Sequence, residues 1–370
     1  MPILLVENGT FGGGIMPDGW QDGFVAELEA GGVDVRLAWA QEPEDVQAEW
    51  LAEAHGLVMF SHTHIDAEFL DRAPNLQIVC TPSVGFDNID AVECGKCSRS
   101  LCVFFRGSLK KRCIYVTAKR GIYVTNGAGS ITETTADLAL CLLLGACRRL
   151  GANHMAVVAG PEASQPTWFV GAGGLGDDPE NKVLGVIGFG RIGQALAHKC
   201  RGAFNMEIIY YDPFHIQNTV VGARQMDTLD ELLETADFVS INSVLDDSSR
   251  HLIGKEQLAK MKKGAYLVNA ARGPLVDEEA LCDALESGHL AGAGLDVFEI
   301  EPPDTKPDGT IGPDERLRNA PNVFLQPHSG SATLAARQEM QYLCASNLKA
   351  ALVDGRGPLT PVNAPLNPKL

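Results

Sequence analysis

VLGVIGFGRIGQALA, residues Val183 to Ala197, is the stretch that decides the fold. Val183 to Ile187 is a short apolar run, the pattern of a strand buried on both faces of a parallel sheet. It stops at Gly188-Phe189-Gly190-Arg191-Ile192-Gly193, which matches G-x-G-x-x-G, and a helical pattern follows. In such a motif the first glycine permits a tight turn and the second lets backbone approach a pyrophosphate. The third lets helix and strand pack closely, and the helix N-terminus faces the anion. The spacing alone is a weak signal. A second apolar run, Met206 to Tyr211, strengthens it by ending in Asp212, nineteen residues past Gly193. A carboxylate there is placed to accept the ribose hydroxyls of an adenosine. Together these features predict a dinucleotide site rather than a glycine turn without a ligand.

Asp212 also bears on cofactor choice. A carboxylate suits the ribose of NAD and repels the 2′-phosphate of NADP. Pro213-Phe214 follows without an arginine to receive that phosphate, although His215 and Arg224 are near in sequence. NAD is the expected cofactor.

A chain of 370 residues suggests two domains, each able to bury its own core. Hydrophobic residues make up 45% of it, and no apolar run approaches the length of a membrane span. The net charge of −17 disfavours nucleic acid or an anionic membrane as a partner. MPILLVENG has no basic segment ahead of its short apolar run, so a cytoplasmic location is expected. Of the ten cysteines, four fall between Cys94 and Cys113, and the rest sit mostly in apolar patterns, as reduced core thiols do.

Strands alternate with helices along the whole chain. Strands are predicted at Ile3–Val6, Val33–Leu37, Leu57–Phe60, Leu76–Cys80 and Gly121–Thr125, with helices over Asp22–Ala30 and Glu44–Ala54. A second series comprises Val183–Ile187, Met206–Tyr211, Phe238–Ile241, Ala265–Asn269, Gly294–Val297 and Val323–Leu325. A long apolar helix, Ile131 to Leu150, joins the two series, and Ala332 to Leu352 forms a final helix. Pro161 to Asp178 reads as loop, with Trp168 as an anchor. The expected fold is α/β with two doubly wound parallel sheets.

Three polar residues fall just past predicted strand ends, where ligands collect in open α/β sheets. Arg272 follows VNAA, Glu301 lies in GLDVFEIEP and His328 in LQPHSG. Each alone has a bland reading as a solvated side chain. Their placement at successive strand ends favours a shared site.

With these residues in view, the chain resembles the D-isomer-specific 2-hydroxyacid dehydrogenases. The resemblance runs through SVGFDNID (83–90), ITETTADLA (131–139), GVIGFGRIG (185–193), VNAARG (268–273), GLDVFEIEP (294–302) and PHSGSAT (327–333). It implies a Rossmann dinucleotide domain, here 127–331, inserted into a split flavodoxin-like substrate domain, 1–126 with 332–370. It also implies a homodimer assembled with help from the long helix. By the same resemblance Arg272 would grip the carboxylate of a 2-oxo acid and polarise its carbonyl. His328 would donate the proton, and Glu301 would orient the ring and favour imidazolium. Val84 and Gly85 match a backbone-amide carboxylate site. Gly188, Gly190, Arg191, Ile192, Gly193, Asp212, Ala270 and Asp296 match cofactor positions, the last two near the nicotinamide.

The tail GRGPLTPVN (355–363) and the loop LGDDPENKVLG (175–185) look most like the glyoxylate and hydroxypyruvate reductase branch. Phosphoglycerate dehydrogenase and a non-enzymatic NADH-sensing corepressor are the alternatives on the same fold. Substrate choice is expected from Thr10–Trp20, Ser61–His64 and Ser83–Phe86, including His62 and His64.

Gly95 to Thr117 departs from the family. This stretch, GKCSRSLCVFFRGSLKKRCIYVT, carries Lys96, Arg99, Arg106, Lys110, Lys111 and Arg112 and no acid. A zinc module using Cys94, Cys97, Cys102 and Cys113 has only one close cysteine pair, and a basic partner-binding loop is a second possibility. The favoured reading is a translated intron: removal rejoins Cys94 to Ala118 and restores the family's spacing. Gly95-Lys96-Cys97 can be encoded GGT-AAG-TGC, which contains a splice-donor sequence. The terminal Pro368-Lys369-Leu370 resembles a degenerate peroxisomal address.

Overall fold

A computed structural model describes residues 1–7, 20–59, 63–94, 120–160, 174–214, 218–301 and 312–363. The chain divides into two compact units, Met1–Ile131 with Thr333–Leu370, and Thr132–Ala332. Residues 127–131, assigned above to the dinucleotide domain, cluster with the first unit.

In the first unit β1 (Ile3–Val6), β2 (Asp34–Arg36), β3 (Gly56–Val58), β4 (Ile78–Cys80) and β5 (Tyr123–Thr125) form one sheet. Its order is β2-β1-β3-β4-β5 and every pairing is parallel, the flavodoxin-like arrangement. Alternate residues feed opposite faces, as the period of two requires. Leu5, Leu57 and Val79 pack with Trp39 and Phe69 on one side. Leu4, Val58, Ile78 and Cys80 pack on the other against Cys344, Leu348 and Leu352 of the helix Leu334–Leu352. The C-terminal helix therefore completes a core begun by the N-terminal strand.

The second unit holds β6 (Val183–Ile187), β7 (Glu207–Tyr211), β8 (Arg224–Gln225), β9 (Phe238–Ile241), β10 (Ala265–Asn269), β11 (Leu290–Leu295) and β12 (Val323–Leu325). The order is β12-β11-β10-β9-β6-β7-β8, parallel throughout. It reverses direction between β6 and β9, a topological switch point of the Rossmann type. The register sets the strand ends level: Tyr211 pairs with Ile187, Ile187 with Ile241, Ile241 with Asn269, Asn269 with Leu295, and Leu295 with Leu325. Everything that follows these six residues in sequence leaves the sheet at one edge.

Two elements differ from expectation. The long helix stops at Cys147, Arg149 takes a left-handed φ of 52°, and a separate helix spans Leu150–Val158. The strand expected at Gly294 begins at Leu290 instead. Gly292 hid that start, and both glycines have a packing cause: a Cβ on Gly292 would sit 2.5 Å from the Asn322 carbonyl oxygen, and one on Gly294 2.5 Å from the Leu142 carbonyl oxygen. Helix Thr132–Cys147 thus lies against bare strand backbone, which only glycine permits.

Of the described cysteines, Cys80, Cys94, Cys147, Cys200, Cys282 and Cys344 are buried and free, and Cys141 is exposed. Burial pushes the Cys94 and Cys200 thiols up to about 12 and those of Cys147 and Cys282 to about 11, so the reactive thiolate is scarce near neutrality. Among the described residues no helix is long and apolar enough to cross a membrane, and no cluster of His, Cys, Asp or Glu is placed to hold a metal. The segment 95–117, Trp168 and the terminal tripeptide lie outside the described residues. The chain on either side of that segment is joined: Ile122 N–H donates to the Cys94 carbonyl at 3.3 Å, and Arg120 Nε lies 3.3 Å from Glu93 Oε1.

Candidate active site

The turn after β6 is built as its glycines demand. Gly188 has a φ of 85°, and a Cβ there would lie 2.7 Å from the Asn242 carbonyl oxygen beyond β9. A Cβ on Gly193 would lie 2.4 Å from the Gly188 carbonyl oxygen. At Gly190 nothing stands within 4 Å, and the helix Arg191–Phe204 begins there with no side-chain cap. Open space beside uncapped helix N–H groups fits the diphosphate of a dinucleotide. Arg191 is exposed and Ile192 is half-buried against the core beneath.

Asp212 does more than its position predicted. It is buried, its Oδ2 accepts Phe189 N–H at 2.8 Å, and its Oδ1 accepts Phe214 N–H at 2.9 Å. It therefore clamps the glycine turn to the end of β7. A carboxylate has about four lone-pair sites, so capacity remains for a ribose. Phe189 stacks on Tyr210 with ring centroids 3.9 Å apart, fixing the same turn from below.

Arg272, Glu301 and His328 leave the level ends of β10, β11 and β12, adjacent strands about 4.8 Å apart. The turn carrying Arg272 is shaped by buried Asn269, whose Nδ2 donates to the Arg272 carbonyl at 2.8 Å and whose Oδ1 accepts Ala271 N–H at 3.0 Å. Ala270 is half-buried in that turn. Arg272 Nη1 donates to the Ala271 carbonyl at 2.8 Å. Gly273 lies so close to the segment after β11 that a Cβ would fall 1.7 Å from the Phe298 carbonyl oxygen.

The histidine and glutamate meet directly. His328 Nδ1 is 2.6 Å from Glu301 Oε2, while Glu301 Oε1 accepts Phe298 N–H at 2.8 Å. The histidine side chain remains 48% exposed, so a small molecule can reach it. His328 has a φ of 53°, an uncommon value for a residue other than glycine. Asp296 holds this strained turn in place. It accepts Ser329 N–H at 2.7 Å and Gly330 N–H at 2.9 Å, and its carbonyl accepts His328 N–H at 2.7 Å. Burial raises the Asp296 carboxyl above its ordinary value, with the two backbone N–H groups and the nearby His328 pulling the other way. Its visible task is to carry the histidine loop.

Val84 and Gly85 belong to the first unit. The Ser83 carbonyl accepts Gly127 N–H at 2.8 Å, and the Val84 carbonyl accepts Asn126 Nδ2 at 2.6 Å. A trans peptide aims its N–H opposite its C=O. Both the Val84 and Gly85 N–H groups are therefore directed away from residues 126–127. Sequence alone gave no sign of Asn126 here. Of the expected specificity residues, 10–19, Ser61 and His62 lie outside the described residues, and His64 is exposed.

A switch-point Rossmann sheet with a glycine turn, a buried strand-end aspartate and a Glu–His pair defines a dinucleotide-dependent oxidoreductase. Family models agree: residues 140–330 match the D-isomer-specific 2-hydroxyacid dehydrogenase NAD-binding domain, and residues 18–97 match the catalytic domain of the same family. The chain belongs to the D-isomer-specific 2-hydroxyacid dehydrogenases and is an NAD-dependent oxidoreductase. A glyoxylate reductase of Korarchaeum cryptofilum is 39% identical over 315 residues, 84% of this chain and 83% of that one. The crystal structure of a glyoxylate reductase from Paecilomyes thermophila is similar with a TM-score of 0.77 and 29% identity, covering 98% of each chain. An NADPH-dependent glyoxylate/hydroxypyruvate reductase from Sinorhizobium meliloti, in complex with NADP and malonate, gives 0.74 and 29%, covering 98% of this chain and 96% of that one.

Proposed function

We propose that this enzyme reduces glyoxylate or hydroxypyruvate to the corresponding 2-hydroxy acid, D where a stereocentre forms, using NADH. The observation that carries the reading is the 2.6 Å Glu301–His328 contact at the same sheet edge as the Arg272 turn. When bound, the dinucleotide supplies the hydride. Arg272 holds the substrate carboxylate with its planar fork and draws electron density from the carbonyl. His328 gives a proton to the carbonyl oxygen as negative charge develops there. Glu301 accepts from Nδ1, which leaves Nε2 as the proton-delivering atom and stops the ring from turning. In the first unit, Val84 and Gly85 offer backbone N–H donors of the kind that suit a carboxylate. Assaying a panel of 2-oxo acids with NADH and with NADPH tests the reading, which fails if glyoxylate and hydroxypyruvate are among the poorest substrates.

NADH is preferred in this reading because the Asp212 carboxylate, at the end of β7, would repel a 2′-phosphate. The Asp212→Ser variant should narrow the ratio of NADH to NADPH efficiency by about tenfold or more, an energy of ~1.4 kcal/mol for the lost charge repulsion. Its melting temperature should also fall, since the clamp on Phe189 and Phe214 goes with it. A wild type that already favours NADPH, as the Sinorhizobium relative is named for doing, would refute this assignment.

A cytoplasmic homodimer completes the proposal. The helix Leu150–Val158 buries none of its residues within its unit and exposes Met155, Val157 and Val158 by 60% or more. Such an apolar surface is costly in water and suits a second copy of the chain. Sedimentation should give twice the 39.6 kDa of one chain, and Val157→Glu should shift the protein toward monomer. A wild-type monomer at micromolar concentration would dismiss the dimer.

A further inference from the structure

Resting on that reading, we propose that Glu278 and His251 are positioning residues for the Glu301–His328 pair, both acting through Glu299. Glu278 opens the helix Glu278–Glu286 and is only 8% exposed. A buried carboxylate is costly unless its oxygens are well bonded. Here Oε2 accepts Glu299 N–H at 3.1 Å and Oε1 accepts Asp314 N–H at 2.6 Å. One carboxylate thus fixes the backbone at Glu299, two residues before Glu301, and at Asp314. The same helix is tied a second time, because Arg316 reaches Asp283 at 2.6 Å and Glu286 at 2.7 Å.

The side chain of Glu299 is held from another direction. Its Oε1 lies 2.7 Å from His251 Nε2. His251 itself has a left-handed φ of 51°, and its N–H donates to the Pro274 carbonyl at 2.8 Å. Pro274 stands two residues past Arg272. Glu299 is therefore fastened by its backbone to the helix and by its side chain to a residue anchored on the arginine turn. Glu301 is two residues further on, and its 2.6 Å contact with His328 tolerates little displacement. Neither Glu278 nor His251 contacts the Glu301 or His328 side chain in the hydrogen bonds that define the pair; their effect is on where the pair stands.

Glu278→Asp keeps the charge but shortens the reach, and His251→Asn keeps a residue that accepts the left-handed backbone while removing the bond to Glu299. With glyoxylate and NADH each should lower kcat by about tenfold to a hundredfold, with the dissociation constant for NADH unchanged in a fluorescence titration. In a Glu301→Gln background neither should lower kcat further, because residues that act through one group do not add. An undiminished kcat in the single variants overturns the proposal. So does an equal loss in the Glu301→Gln background, which would mark a general structural role. If Glu278→Asp does not fold, the cycle is read with His251→Asn, at an exposed position, and its failure alone overturns the proposal. His328→Asn measured alongside separates the two readings. Normal turnover there defeats the proposed function, whereas its loss beside unimpaired Glu278→Asp and His251→Asn defeats only this inference.

Discussion

Replacing His328 by asparagine should lower kcat for glyoxylate reduction by about two to four orders of magnitude, the range for a general acid. Asparagine is the informative replacement because position 328 has a φ of 53°, which asparagine accepts more readily than alanine. The loop should therefore stay where Asp296 holds it, through the Ser329 and Gly330 N–H groups. Thermal stability and NADH affinity should remain close to wild type, so the loss belongs to chemistry rather than to folding. Steady-state kinetics paired with a melting curve checks both halves. Near-normal kcat in this variant would take His328 out of the mechanism.

Gly273→Ala should be nearly as damaging, for a different reason. Its new Cβ would fall 1.7 Å from the Phe298 carbonyl oxygen, a backbone atom that cannot swing aside. Either the Arg272 turn or the Phe298–Glu299 segment must move. Overpacking of this kind costs about 1–3 kcal/mol of stability. The displacement also separates Arg272 from the Glu301–His328 pair, and an error near 1 Å in such a constellation costs about a hundredfold in rate. Denaturant unfolding together with kcat/KM measures the two effects. A variant with wild-type stability and efficiency would mean that the close approach at Gly273 is not needed.

Much of this was legible because it is local. A strand, a glycine turn and a helix start lie within fifteen consecutive residues, and each shape follows from its own residue types. Arg272, Glu301 and His328 were legible for a related reason: each closely follows an apolar run, and chain leaving a parallel strand emerges at its carboxyl end. The errors also have physical causes. Gly292 hid the start of β11, since glycine carries no β signal, and the partner that its bare backbone faces, the Asn322 carbonyl, lies on a different part of the chain. Arg149 ended the long helix through a left-handed backbone that its side chain does not announce.

The sequence by itself determined the class of fold, the nucleotide turn and which polar residues stand at strand ends, because those depend on near neighbours. Only the tertiary structure decided which of them meet. Six strand ends are level because of hydrogen-bond register across the sheet, and that register sets Glu301 against His328. Asn126, Asn269, Glu278 and the clamping oxygens of Asp212 and Asp296, each within its own unit, share a further property. Each satisfies backbone N–H or C=O groups of a loop, some nearby in sequence and others far along the chain. A buried loop must have such partners, but nothing in its own residues says which side chain will supply them.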